Sequence, residues 1–225
     1  MSRSSVRHPA RGVLDAVRTH PNADLLAAQL ALVLLYPFLE GATVGRALLG
    51  VVQLGVVISA VSTIRITPAV TGVAVVIGAP CMVFAVWESI EPGRDWVVLV
   101  SSILHVPFYL FVSYGLIRYL FHDENVTRDE LFATGAAFTV VAWAFAYAYA
   151  GVQVLWPGSF GHEVNWFGLL FLSFTTLTNT GLADFAPVLD HARSVVVLEQ
   201  VAGIFYVALV VSRLVGLAIS RSGRR

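Results

Sequence analysis

Beyond a polar N-terminal segment the chain is a succession of apolar runs separated by brief polar joints, and that pattern leaves few folds open. The runs fall near 24–40, 44–64, 66–88, 95–121, 130–155 and 191–219. Each is close to the ~20 apolar residues a helix needs to cross a ~30 Å hydrocarbon core. The charge content agrees: 12 % of residues are charged and 57 % are apolar, whereas a water-soluble domain carries roughly 25 % charged residues to solvate its surface. Mean hydropathy is +0.79. The expectation is an all-α membrane protein of six transmembrane helices, with lipid as its main neighbour and no sizeable soluble domain.

Between the fifth and sixth runs lies an apolar stretch of another kind, Asn165 to Leu177. At 1.5 Å per residue it reaches only ~20 Å, too short to cross. Trp156-Pro157-Gly158 breaks the chain before it, and Gly181 and Pro187 break it afterwards. An apolar helix that enters and cannot leave on the far side turns back as a re-entrant loop. Such backbone survives only where protein buries it or where it lines a water-filled path.

Arginine placement sets the orientation. All 14 basic residues are Arg. With six spans and both ends cytoplasmic, Arg3, Arg7, Arg11, Arg18, Arg65, Arg118, Arg128, Arg213, Arg221, Arg224 and Arg225 lie inside, against Arg46, Arg94 and Arg193 outside. The acidic group Glu88, Glu91 and Asp95 then faces outward with the re-entrant segment. Fourteen acidic residues balance the charge to zero, which gives no reason to expect nucleic acid. The lone Cys81 excludes an intramolecular disulfide, and no Cys or His spacing suggests a metal site. The N-terminus lacks a cleavable signal pattern, so the first span is read as the insertion signal.

The chain divides into an N-terminal cytoplasmic segment (1–23), a four-helix block (24–121), a polar linker (122–129), a helix–loop–helix module (130–219) and a short tail (220–225). Thr127 and Glu130 have capping-box spacing at the start of the fifth helix. The fourth run has arginines only at its ends, Arg94 and Arg118, which argues against a voltage sensor. His105, just before Pro107, reads as a core group beside a kink, and Arg213 as a snorkelling anchor.

The chemistry is concentrated after the short helix, in Leu172-Ser-Phe-Thr-Thr-Leu-Thr-Asn-Thr-Gly-Leu-Ala-Asp-Phe-Ala-Pro187. A helix C-terminus aims partial negative charge at the membrane centre, where a desolvated cation is otherwise unstable. The extended chain that follows can turn its carbonyls toward an axis in place of an ion's hydration shell. One chain has too few carbonyls to surround an ion, so a ring calls for identical copies.

In these residues the sequence resembles the pore module of tetrameric potassium-type channels, over 165–219. The family pattern S-F-x-T-L-T-T-V-G-Y-G-D-x-x-P is matched by Ser173, Phe174, Thr176, Leu177, Thr178, Gly181, Asp184 and Pro187. The stretch from Ala192 to Gly216 is similar to the inner helix of small six-span prokaryotic ion channels, and Gly203, nineteen residues after Asp184, stands where the family often has a gating hinge. The resemblance implies a homotetramer in a prokaryotic plasma membrane. It also implies a selectivity filter at Thr178, Asn179, Thr180, Gly181, Leu182, Ala183 and Asp184, with potassium, or less selectively sodium, as the permeating ion. It implies no cofactor and names no regulatory partner.

The filter departs from the family at Asn179-Thr-Gly-Leu-Ala183. Asn179 replaces a threonine whose hydroxyl would complete the innermost site: its amide oxygen would coordinate a cation, its NH₂ group would repel one. Leu182 lacks the tyrosine hydroxyl that braces the filter. Ala183 costs ~1–2 kcal/mol if its position needs a positive φ.

Several residues carry two readings. Glu199, within the outer part of the last span, is either a group hydrogen-bonded behind the filter, with Asn, Thr or Arg193 as partner, or a cation-attracting or pH-sensing group. Asp184 either concentrates cations at the mouth or braces the filter from behind. Rival functions are a non-conducting scaffold or sensor with a degenerate pore, and a secondary transporter, though only one re-entrant segment is visible where transporters use pairs. No GxSxG elbow, HExxH or paired intramembrane aspartates suggest an enzyme.

Overall fold

The structure is a computed structural model that describes residues 21–222 apart from 43, 46–47, 53–54, 56–67, 92 and 121–127. Six helices are bounded within these residues: α1 Pro21–Leu39, α2 Pro68–Ile90, α3 Asp95–Leu120, α4 Arg128–Leu155, α5 Trp166–Leu177 and α6 Asp190–Ser222. Four contain stretches long and apolar enough to cross a membrane: Asn22–Leu39, Asp95–Arg118, Asp129–Leu155 and Asp190–Arg213. In α2 the apolar stretch is the shorter Val76–Glu88. Most of the run expected at 44–64, and Thr127 of the expected capping box, lie outside the described residues.

The bundle is organised around α4, which packs against α1, α3, α5 and α6. Its sequence explains why. Ala133, Ala136, Ala137, Ala142, Ala144, Ala146 and Ala150 are all buried and face several directions, so neighbouring helices approach its backbone from several sides. Between the alanines, Val140, Trp143 and Tyr147 fill the core with Phe108, Tyr109, Val112 and Leu116 of α3 and Leu170 of α5. The starts of α1 and α4 are fastened together, with Asn22 N–H donating to Asp129 Oδ1 at 3.0 Å and Asn22 Nδ2 to Oδ2 at 2.6 Å.

At the opposite end of the bundle aromatic side chains gather, as they do where helices leave a bilayer. Trp87 and Trp96 meet edge-on at the α2–α3 turn, with centroids 5.0 Å apart. Tyr36 at the end of α1 stacks on Trp166 and Phe167 at the start of α5. His105 is a core group: fully buried, with Nδ1 donating to the Ser101 carbonyl at 2.8 Å and the ring stacked on Tyr147 at 4.2 Å. Pro107 is accommodated inside a continuous α3.

Candidate functional site: the loop between α5 and α6

Helix α5 is short because both of its ends are chemically stopped. At its start Asn165 has extended backbone (φ −67°, ψ 163°) and its Oδ1 accepts from Gly168 N–H at 2.8 Å, satisfying a donor the helix cannot. At its end Thr178 caps, and Asn179 takes the left-handed conformation with φ 55°. Asn179 N–H donates to Thr176 O at 2.9 Å and Thr180 N–H to Thr175 O at 2.9 Å. This pair of bonds is the Schellman ending, which needs a residue that tolerates positive φ. Asn179 is therefore a helix terminator, a role the sequence reading did not give it. Asn179→Gly should be neutral, whereas Asn179→Val should lower stability by ~1–2 kcal/mol in thermal denaturation of the solubilised protein.

The Thr175 carbonyl collects further donors: Gly181 N–H at 3.2 Å, Thr180 Oγ1 at 3.2 Å and Thr178 Oγ1 at 3.3 Å. The threonines of the loop thus wind it against the helix end. Gly181 has φ 67°, and among the described residues Asn179 is the only non-glycine with positive φ. The sign of φ therefore alternates along 179–182. Ala183 lies outside the left-handed region, so the strain considered for it does not arise.

One side of the loop is bare and the other is braced. Thr178, Asn179, Thr180, Gly181, Leu182 and Asp184 are exposed in the single chain, Leu182 to 68 %. Asp184 makes no hydrogen bond or ion pair among the described residues, so its carboxylate stands in the open. The return path is pinned: Val188 N–H donates to Ser159 O at 2.8 Å, and Phe185 packs edge-on against Phe160.

Behind α5 sits Glu199 of α6, fully buried. Tyr149 of α4 donates to its Oε2, and its Oε1 is in hydrogen-bond contact with Ser173 Oγ of α5. Ser173 Oγ also donates to Ala142 O of α4 at 2.7 Å. The Ser173 hydroxyl, with one proton, stands between two acceptors, the Glu199 carboxyl and the Ala142 carbonyl. The arrangement is a chain of contacts running Tyr149, Glu199, Ser173, Ala142, which ties three helices together. Arg193 does not join it. Its Nε donates to Pro187 O at 3.2 Å and its Nη1 pairs with Asp190 at 3.3 Å, so it holds the return loop.

Gly203 of α6 is buried against the end of α5. A Cβ added there would sit 2.0 Å from the Leu177 carbonyl oxygen. The position therefore requires glycine for close approach, which the sequence reading did not foresee.

Among the described residues no group of His, Cys, Asp or Glu is placed to hold a metal ion. Residues 134–219 match a family model described as an ion channel; the segment takes in most of α4, the whole of α5 and its loops, and most of α6. The match is to an ion-channel family and not to an enzyme family. No curated protein and no solved structure matches the chain.

Proposed function

We propose that copies of this chain assemble as a tetramer around an axis lined by residues 178–183 and conduct potassium or, less selectively, other monovalent cations including sodium. The observation that carries the reading is the loop after α5, bare on one side, fastened on the other, and alternating in φ sign over 179–182. Residues of opposite handedness turn successive peptide planes so that their carbonyls face the same way, which is what replacing an ion's hydration shell requires. The helix behind the loop adds its negative end.

The need for partner copies has a second support. Only 11 % of the apolar stretch of α6 is buried, against 56 % in α4. Val197, Val201, Ile204 and Phe205 leave α6 an open apolar face beside the loop, suited to neighbouring copies and to lipid. In this assembly Asp184 forms a ring of carboxylates at the mouth and concentrates cations there, with both chain ends on the cytoplasmic side.

Reversal potentials of the purified protein in liposomes test the proposal. A cation current is expected, with modest preference for potassium. The double change Leu182→Tyr and Ala183→Gly should raise the potassium-to-sodium permeability ratio severalfold. Absence of any current would favour a scaffold whose axis is closed by Leu182 and Asn179, and an anion preference would end the proposal.

A further inference from the structure

A cavity of about 350 Å³ opens at the same end of the bundle as the start of α5, between the end of α1, the α2–α3 turn, the end of α4 and the loop before α5. It is distinct from the α5–α6 loop. Four carboxylates line it, Glu40, Glu88, Asp95 and Glu163, and no Lys, Arg or His is among its described lining residues. The nearby Arg94 is engaged by Glu91 at 2.9 Å. Tyr36, Tyr147 and Trp166 supply aromatic wall.

Two lining atoms lack partners, although the Ser101 side chain hydrogen-bonds the Glu88 carboxyl. Glu88 Oε2 is closed off from solvent with no hydrogen-bond partner among the described residues, and so is Trp166 Nε1. Other polar groups of the wall are in use. Gln153 bridges the backbone of Val164 at 2.9 and 3.0 Å, and Asn165 caps α5 while its Nδ2 reaches Glu40 at 3.3 Å.

We propose that this cavity binds an organic ammonium carrying an apolar body. The acids call for a cation. They are spread round the wall, and among the described residues no group converges as a metal site, which suits an organic cation held also by its apolar body better than an inorganic ion. The aromatic wall adds cation–π attraction. At ~30 Å³ per water the space holds roughly a dozen waters, the lower end of small-molecule sites. Helix α5 points its positive end at the cavity, but roughly half a charge does not offset four carboxylates. The occupant would touch Trp166 and Leu169, and so the helix that supports the candidate filter.

The binding is read without conduction, so it stands or falls apart from the channel proposal. The full chain is placed in phosphatidylglycerol nanodiscs and titrated calorimetrically with phenethylammonium and with 2-phenylethanol, its neutral isostere. Saturable binding of the ammonium is expected, at least tenfold tighter than the alcohol. Glu88→Gln and Glu163→Gln should each weaken it by roughly tenfold. Glu163 is exposed on a loop, so its variant remains informative if Glu88→Gln does not fold. Repeating the titration with phosphatidylethanolamine in the disc separates two sources of the same chemistry: a drop in apparent affinity assigns the site to a lipid headgroup, and no drop assigns it to a free amine. Equal binding of the alcohol, or wild-type affinity in both Gln variants, would overturn the proposal. Binding lost on Asp184→Asn would place the probe at the filter mouth and overturn it as well.

Discussion

Gly203→Ala should destabilise the protein by ~1–3 kcal/mol or more, and should do so in a way that separates two roles for this glycine. A Cβ at residue 203 would lie 2.0 Å from the Leu177 carbonyl oxygen. Relieving that overlap requires α6 to back away from the end of α5 by about 1 Å, and overpacking of this kind typically costs 1–3 kcal/mol. Helix propensity acts in the opposite direction, since alanine is favoured over glycine by ~1 kcal/mol inside a helix. A glycine kept only as a flexible hinge would therefore give a more stable alanine variant. One kept for close approach gives a less stable one, and its displaced α6 should also disturb the loop that Leu177 leads into. Gly216, on the same helix with nothing within 4 Å of an added Cβ, is the control: Gly216→Ala should hold or gain stability. Thermal melts of the solubilised variants decide the matter.

Glu199→Ala should cost ~2–4 kcal/mol, while Glu199→Gln should cost less than ~1 kcal/mol. The alanine variant strands the Tyr149 hydroxyl, which is fully buried, and opens a void between three helices. Glutamine can reproduce the proton pattern, with its amide NH₂ donating to Ser173 Oγ and its carbonyl accepting from Tyr149. Equal damage from both variants would mean that an ionised carboxylate accepts from both hydroxyls. Ser173 could not then donate to Ala142 at the same time. If the pore is as proposed, Glu199→Ala should also lower conduction, because Ser173 lies on the helix that positions 178–183.

What the sequence makes legible is whatever a single helix dictates by itself. The runs expected at 95–121, 130–155 and 191–219 correspond to α3 at Asp95–Leu120, α4 at Arg128–Leu155 and α6 at Asp190–Ser222. Apolar runs bounded by polar residues mark their own ends. The short α5 is equally readable, expected over 165–177 and found at Trp166–Leu177, because Trp156-Pro157-Gly158 before it and Gly181 and Pro187 after it interrupt the chain. The pairing of Tyr149 with Glu199, fifty residues apart, leaves no trace in hydropathy, which is why Arg193 stood as a candidate partner. The four acids of the cavity come from three separate joints of the chain, after α1, at the α2–α3 turn and before α5, and only the helix packing brings them round one space. Asn179 shows a subtler failure: comparison by position invited attention to its side chain, while its backbone carries the role seen in the fold.

The alanines of α4 have a consequence for how the molecule comes together. They commit more than half of that helix to neighbours within one chain, whereas α6 holds most of its greasy surface in reserve. Maturation of a single subunit and its recruitment into a larger complex thus draw on separate surfaces. Damage to the central helix should yield chains that never mature, and damage to the outer face of the last helix should yield sound subunits that stay solitary.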